Sequence, residues 1–180
     1  MKKLGLLLIC LVLVVSVFAQ NKVKVSNVKE ESSITYAMNH PLHAWTGESK
    51  EVNSVILTDD ARSTIFQVAV SAKISTFDSK NANRDSHMME VTEALKYPNV
   101  TFVSSSVTIE GSDFTAMGTI TFHGISQPVA LKGKFTKEGN KLTFTGNFQL
   151  KMTQFKVDPP SLMGISTNDD FKLDFKVVYQ

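Results

Sequence analysis

Strict alternation of apolar and charged residues near the end of the chain constrains the fold more than any other feature. From Asp170 to Val177 the sequence reads Asp-Phe-Lys-Leu-Asp-Phe-Lys-Val. Successive side chains of a β-strand point to opposite faces of the sheet, so the apolar residues share one face and the charges share the other. The pattern predicts a strand with one face buried and the other in water.

The same period of two recurs along most of the chain. Short turn sequences such as Glu138-Gly139-Asn140-Lys141 separate the runs, and Gly146 predicts a bend or bulge inside one of them. Consecutive strands joined by short turns favour an antiparallel meander, and eight is a common number for a closed barrel. The sequence therefore predicts an all-β protein, a single antiparallel barrel with eight strands at 33–39, 51–58, 62–76, 99–110, 113–123, 126–137, 141–152 and 169–179.

One or two short helices are expected beside the strands. Residues 82–95 have helical spacing of apolar residues, with Asn83 or Asp85 as the cap, and Pro98 follows the segment. A second short helix is predicted from Leu42 to Thr46.

The first 19 residues have the composition of a signal peptide. Two lysines precede an apolar run, and Ala19 offers a small residue for cleavage, so the domain is expected to span residues 20–180. The run is short for a transmembrane helix, and we expect no transmembrane segment in the mature chain. Cys10 is the single cysteine and lies within the run, so we expect no disulfide. The predicted location is the periplasm or the medium outside the cell.

Charge argues against a nucleic-acid partner. Without Lys2 and Lys3, 17 basic residues balance 17 acidic ones. Phosphate binding needs a clustered positive field, which this composition does not indicate. The remaining length suits one domain with a substantial core.

Alternation alone also fits an outer-membrane barrel, whose apolar face points outward to lipid. Such barrels carry aromatic girdles and long loops on one side. Here the predicted connections are short and the Phe residues lie in the middle of the strands. We therefore favour a soluble barrel whose apolar face points inward.

Three motifs occur in a fixed order along the chain: Asn83–Met88 (NRDSHM), Lys96–Phe102 (KYPNVTF) and Gly118–Val129 (GTITFHGISQPV). Together with Ile34–His40 they resemble the YceI-like family, the lipocalin-like polyisoprenoid-binding proteins of the bacterial cell envelope. The resemblance covers roughly residues 33–179. It implies a calycin-type barrel that holds a long apolar isoprenoid chain in its interior, without catalysis.

The apolar faces of the predicted strands give the expected wall of the barrel. That wall suits a polyisoprenoid or another long apolar lipid, because it offers few polar groups to orient a sugar or an amino acid. From the residues alone a packed core is as consistent as a hollow one, and the resemblance favours the cavity. The expected lining residues are Phe66, Val68, Val70, Phe102, Ile120, Phe122, Leu142, Phe144, Phe148, Phe171, Leu173 and Phe175, and the expected mouth residues are Trp45, Arg84, Met88 and Phe155.

The resemblance is weakest from Thr153 to Thr167. Many family members have an Arg-x-Asp-Phe-Gly-like element near this point, whereas this chain has no arginine there and carries Pro159 and Pro160. Two prolines remove backbone donors and stiffen a loop. We expect this segment to cross the surface or to cover the second mouth of the barrel.

Metal and cofactor chemistry has little support in the sequence. His40 and His43 have a spacing compatible with two metal ligands, but His87 and His123 lie far from them in sequence. Histidines at strand ends and turns commonly bond to the backbone instead. We expect no metal and no cofactor.

The sequence also gives little support for a catalytic motif, so it predicts a binding protein and not an enzyme. Arg84, Asp85 and His87 fit a helix cap with ion pairs better than acid–base chemistry. Ser161 and Ser166 lie outside any GxSxG motif. Two alternatives remain open, an envelope stress or structural protein with a filled barrel that acts through a protein partner, and a hydrolase of apolar esters. The pattern also leaves a homodimer open.

Overall fold

The computed structural model describes residues 21–162 and 164–180, so the predicted signal peptide lies outside the described residues. Strands account for most of the described chain, with one α-helix, α1, at Ala82–Val91. No helix among the described residues has the length and apolarity that a bilayer crossing requires. The strands are β1 Lys22–Ser26, β2 Ser33–His40, β3 His43–Ser49, β4 Val52–Asp59, β5 Ile65–Lys73, β6 Asn99–Glu110, β7 Asp113–Phe122, β8 Ile125–Glu138, β9 Lys141–Lys151, β10 Ser161–Leu162, β11 Ile165–Ser166 and β12 Asp170–Tyr179.

Ten of these strands form one antiparallel sheet that curls into a barrel, in the order β1-β4-β5-β6-β7-β8-β9-β12-β2-β3. The short β10 and β11 pair only with each other. Two isolated bridges cross the seam between the ends of the sheet. Asn27, just after β1, bridges to Tyr179, and Glu48 of β3 bridges to Asp78. The all-β barrel predicted from the alternation is therefore confirmed, with a seam that a continuous ladder does not close. The predicted number of eight strands is wrong, because β1 and β3 bring the sheet to ten.

All eight predicted strands are present, and they correspond to β2, β4 to β9 and β12. The predicted helix from Leu42 to Thr46 is wrong, because this segment belongs to β3. Seven residue pairs, from Ile34 with Ser49 to His40 with His43, join β3 to β2 in a hairpin. The inward positions of β3 include the buried Gly47 and Ser49. Because the inner face of β3 carries small residues, its sequence shows no alternation of apolar and polar residues, and the strand is hard to recognise from the sequence.

The helix α1 is shorter than predicted and has a different cap. Asn81 Oδ1 accepts a hydrogen bond from the backbone N–H of Arg84 at 3.1 Å, so Asn81 is the N-cap, and not Asn83 or Asp85. The helix ends at Val91, where the Thr92 hydroxyl donates back to the Met88 carbonyl at 2.7 Å. Side chains of this type that bond to the preceding turn commonly mark helix ends.

A β-bulge reverses the expected orientation at the start of β5. Leu57 pairs with Gln67 and Thr58 pairs with Ile65, which leaves Phe66 without an opposite residue. The extra residue turns Phe66 outward, where Lys22 Nζ lies 4.9 Å from its ring centre. Ile65 points inward in its place. At Gly146, where a bend or bulge is predicted, the ladder to β12 continues without a register shift, whereas the ladder to β8 ends at the pair Gly133–Gly146.

The two ends of the barrel differ. At one end the turns of the β4–β5, β6–β7 and β8–β9 hairpins meet, and Lys137 Nζ donates to the carbonyl oxygens of Ala61 and Arg62 at 2.6 and 3.2 Å. We call this end the floor. At the other end lie the β2–β3 hairpin, α1 and residues 152–169. We call this end the mouth.

Candidate functional site

A cavity of about 430 Å³ occupies the interior of the barrel. This volume lies within the usual range for sites that bind small molecules. Its wall is apolar from the floor to near the mouth. Polar lining residues other than the two tyrosines, Tyr36 and Tyr179, gather at the mouth, and they are His40, His43, Asn81, Arg84, His87, Thr92, Thr101, Ser161 and Thr167.

The cavity is long relative to its volume. On β12 its lining runs from Phe171 at the mouth to Tyr179 near the floor. Eight residue steps of ~3.4 Å along a strand tilted by ~40° give a depth of roughly 20 Å. A narrow space of this depth accommodates an extended chain better than a compact molecule.

Ten of the twelve predicted lining residues face the cavity, and two do not. Phe66 lies outside because of the bulge in β5. Leu142 is fully buried beside Tyr179 at the floor and does not contact the cavity. The residues that line the cavity as expected are Val68, Val70, Phe102, Ile120, Phe122, Phe144, Phe148, Phe171, Leu173 and Phe175.

Three of the four predicted mouth residues line the cavity, namely Trp45, Arg84 and Met88. Phe155 does not, because it is fully buried with its ring 5.5 Å from that of Phe122. Its carbonyl oxygen accepts a hydrogen bond from His123 Nδ1 at 2.8 Å. Phe155 therefore packs beneath the mouth of the barrel and does not line the opening.

The Pro-Pro segment lies at the same mouth as α1, so its expected placement over a second mouth is wrong. Val157, Pro160, Ser161 and Thr167 all line the cavity together with α1. Strand directions explain this placement. β9 ends and β12 begins at the mouth, so the connection between them can only cross that end.

The sequence did not indicate the aromatic pair Tyr36 and Phe77, whose ring centres lie 5.8 Å apart in the cavity wall. Burial raises the pKa of the Tyr36 phenol above its ordinary value, so the side chain stays neutral. The alternation of β2 could have identified Tyr36 as inward-facing. Phe77 follows a short 3₁₀ helix at Ile74–Thr76 and leaves no periodic signal.

His40 is held as a structural side chain. Its Nδ1 accepts a hydrogen bond from the backbone N–H of Leu42 at 3.1 Å, so its Nε2 carries the proton and donates to the Ile165 carbonyl at 3.0 Å. Both ring nitrogens are thereby used. Among the residues that the structure describes, there is no group of three or more His, Cys, Asp or Glu side chains suited to a metal ion.

Asp85 of α1 and the serines of the Pro-Pro segment make local backbone contacts. Both carboxylate oxygens of Asp85 accept from the backbone N–H of Ser79, at 3.1 and 3.3 Å. Ser161 pairs with Ser166 in the short β10–β11 ladder. Asp85 thus fixes the approach to the helix, although Asn81 is the N-cap.

Comparison with known proteins bears on this barrel and its cavity. The sequence profile of the YceI-like domain matches residues 26–179. The chain belongs to the YceI-like family. Protein YceI of Salmonella newport (strain SL254) is 24% identical to it, over 74% of this chain and 75% of its own length.

Two solved structures resemble this YceI-like chain closely in fold. BcnA of Burkholderia cenocepacia has a TM-score of 0.76 at 19% identity, covering 86% of this chain and 99% of BcnA. A polyisoprenoid binding domain from Saccharophagus degradans, implicated in plant cell wall breakdown, has a TM-score of 0.71 at 12% identity, covering 86% and 97%. The likeness confirms the lipocalin-like barrel class for this chain.

Proposed function

We propose that this YceI-like chain binds one long apolar lipid of the polyisoprenoid class inside the barrel, as a carrier or store without catalytic activity. The observation that carries the proposal is the deep cavity with an apolar wall and polar groups gathered at one mouth. The ligand class named for the structurally similar domain from Saccharophagus degradans supports the same choice.

Burial of apolar surface supplies the driving force. If about ten ligand carbons leave water at ~0.8 kcal/mol each, the gross gain is roughly 8 kcal/mol before ordering costs. Micromolar affinity is therefore within reach without hydrogen bonds along the chain. Several inward-facing side chains retain accessible surface although they belong to the core, among them Val68, Val70, Phe148 and Phe175. Their free surface is available to a ligand.

The first test is native mass spectrometry of the protein purified without detergent from the envelope of its own cells, followed by organic extraction. We expect a stoichiometric adduct that extracts as a prenyl chain. An apo mass, combined with no uptake of added prenyl lipids, would refute the proposal and favour partner proteins as the targets of the barrel. The same spectra report whether the chain is a monomer or a homodimer.

Two adjacent residues of β9 provide a matched pair of variants. Phe148 faces the cavity, whereas Gln149 is exposed on the outer surface. Phe148→Glu and Gln149→Glu each add one negative charge, but only the first adds it to the apolar wall. We expect Phe148→Glu to abolish the adduct and Gln149→Glu to retain it, because an unpaired carboxylate in an apolar site carries a large desolvation cost.

We also propose that the chain is exported, to the periplasm or beyond, after cleavage of residues 1–19. N-terminal sequencing of the purified protein tests this directly. A first residue of Gln20 is the expected result. An intact Met1 on protein recovered from the cytoplasm would contradict it.

A further inference from the structure

The turn between β2 and β3 exposes an apolar side chain directly beside the opening of the cavity. Leu42 is 61% exposed, and Pro41 before it is exposed as well. The residues on either side of this pair, His40 and His43, both line the cavity. Leu42 therefore lies on the rim of the mouth, and not on an arbitrary part of the surface.

A second exposed apolar side chain lies on the same rim. Ile165 in β11 is 42% exposed, and Thr167 close to it lines the cavity. The buried His40 holds the two apolar positions together, because its Nδ1 accepts from the backbone N–H of Leu42 and its Nε2 donates to the Ile165 carbonyl. The two turns thus present one surface beside the mouth. We call Pro41, Leu42 and Ile165 the rim patch.

Turns at the two ends of the barrel differ in composition. The floor turns carry charged residues in each case, at 59–62, 110–113 and 138–141. The β2–β3 turn (His-Pro-Leu-His) and the β10–β11 hairpin (Ser-Leu-Met-Gly-Ile-Ser) contain no Asp, Glu, Lys or Arg. Charged residues at the mouth end lie instead on α1 with its flanks and on the stems of the Pro-Pro segment. The floor turns suit water, whereas the rim patch suits an apolar environment.

The size of the rim patch decides between two kinds of partner. A stable protein–protein interface buries about 800 Å² on each side, in roughly 20–30 residues. Two turns with three exposed apolar residues offer much less than that. The surface of a bilayer requires less, because each apolar side chain that reaches the acyl region is buried independently of its neighbours. The rim patch therefore fits a membrane better than a second protein.

We propose that the rim patch inserts into the surface of a lipid bilayer and brings the mouth of the barrel against the membrane that holds the ligand. The inference rests on the proposed lipid-binding function, and it concerns the route to the cavity. A long apolar lipid leaves a bilayer slowly through water, because its whole chain is exposed on the way. Contact at the rim shortens that exposure. The two turns carry no lysine or arginine, so insertion requires no anionic lipid.

The test measures transfer of geranylgeraniol from phosphatidylcholine vesicles to lipid-free protein. Trp45 is the single tryptophan of the chain and lines the mouth, so its fluorescence reports filling, and vesicle flotation measures bound protein. We expect the initial rate to rise in proportion to protein concentration, because collision with the vesicle limits it. Transfer through water would have a rate set by escape from the vesicle alone. Added phosphatidylglycerol should change flotation less than about twofold.

Variants of the rim patch separate docking from binding. Leu42→Asp keeps the backbone N–H that donates to His40 and places a carboxylate in the patch. We expect it to lower flotation and the transfer rate about tenfold, and to leave the affinity for geranylgeraniol delivered from ethanol within about twofold. Ile165→Asp should act in the same direction, whereas Leu42→Phe should keep the transfer rate. Met117→Asp is the matched control, because Met117 is 48% exposed on β7, away from the mouth, and its replacement should change neither quantity.

The results separate the docking surface from the lipid-binding function. Slow transfer by Leu42→Asp at unchanged affinity, with normal transfer by Leu42→Phe, supports the proposal. Equal transfer by Leu42→Asp and the unmodified protein overturns the docking surface and leaves lipid binding standing, as does an equal loss in Met117→Asp. Failure of the unmodified protein to take up geranylgeraniol from vesicles or from ethanol overturns both. If Leu42→Asp changes the oligomeric state in sedimentation, the patch joins copies of the chain and the membrane proposal is overturned.

Discussion

The hydroxyl groups of Ser54 and Tyr179 lie 2.5 Å apart and join β4 to β12 across the seam of the barrel. Ser54 Oγ also donates to the Ala69 carbonyl at 2.9 Å, so its single proton is used and Tyr179 is the donor of the shorter bond. Tyr179 is only 1% exposed. Burial raises its pKa far above the ordinary value of 10.0, so the phenol stays protonated in the folded protein.

Removal of this phenol should change how stability depends on pH. The folded state holds the Tyr179 proton more firmly than the unfolded chain does, so its contribution is complete below about pH 10 and is lost as pH rises above that value. We expect Tyr179→Phe to cost about 1 kcal/mol at pH 7 and to reduce the decline in stability between about pH 10 and 12. Urea unfolding at a series of pH values measures both. Ser54→Ala is the control, because it retains the buried phenol and so should retain the alkaline decline.

A larger side chain in the cavity should stabilise the empty protein while it blocks the ligand. Val68 faces the cavity and keeps accessible surface there. Val68→Phe is expected to raise the melting temperature of lipid-free protein by a few degrees and to reduce prenyl-lipid uptake at least tenfold. Val55→Phe, on the outer face of the neighbouring strand β4 and 38% exposed, should change neither. If Val68→Phe instead lowers the melting temperature, as overpacking of a core does, the interior is already filled by side chains.

The bulge in β5 makes two adjacent residues differ sharply in their response to the same substitution. Ile65 is 4% exposed and faces the cavity, whereas Phe66 lies outside against Lys22. We expect Ile65→Ser to cost about 3 kcal/mol of unfolding free energy and Phe66→Ser less than about 1 kcal/mol. Denaturant unfolding of the two variants compares them directly. The reverse order would mean that β5 has the register its alternation suggests.

Position 47 has to be glycine because the Tyr36 ring occupies the space that a Cβ atom would need. The two residues pair directly between β2 and β3, and a Cβ atom on Gly47 would lie 2.6 Å from Cζ of the Tyr36 ring. Gly47→Ala should therefore displace the ring from the cavity wall and cost about 1–3 kcal/mol. In a Tyr36→Ala background the same change should cost much less. A double-mutant cycle of unfolding free energies measures the coupling, and additive costs would show that the ring is not the obstacle.

Large side chains in strict alternation made most of this fold predictable. β12 and β9 place large apolar or aromatic side chains on the inner face at every second position, apart from Gly146, so their bounds and inner faces follow from the sequence. β3 was missed because Gly47 and Ser49 occupy its inner positions. The orientation of Phe66 depends on one unpaired residue, and a bulge of that kind is set by the partner strand and not by the local pattern.

The mouth was predictable only in part, for a related reason. Arg84 and Trp45 stood out as unusual residue types at the ends of elements, but their contact joins segments about forty residues apart and follows from the closure of the sheet. The place of Thr167 in the cavity wall depends on its burial and on the path of the Pro-Pro segment. Neither property leaves a mark in a single sequence.

At the floor of the barrel Leu142 and Tyr179 are almost fully buried, and Lys137 joins β8 to the β4–β5 turn, so the interior is a blind pocket and not a tunnel. Anything that enters past α1 and the Pro-Pro segment has to leave by the same opening, with the part that went in last coming out first. Uptake and release therefore use one face of the protein and cannot take place at the same time. A donor and an acceptor of the ligand would have to meet that face in turn.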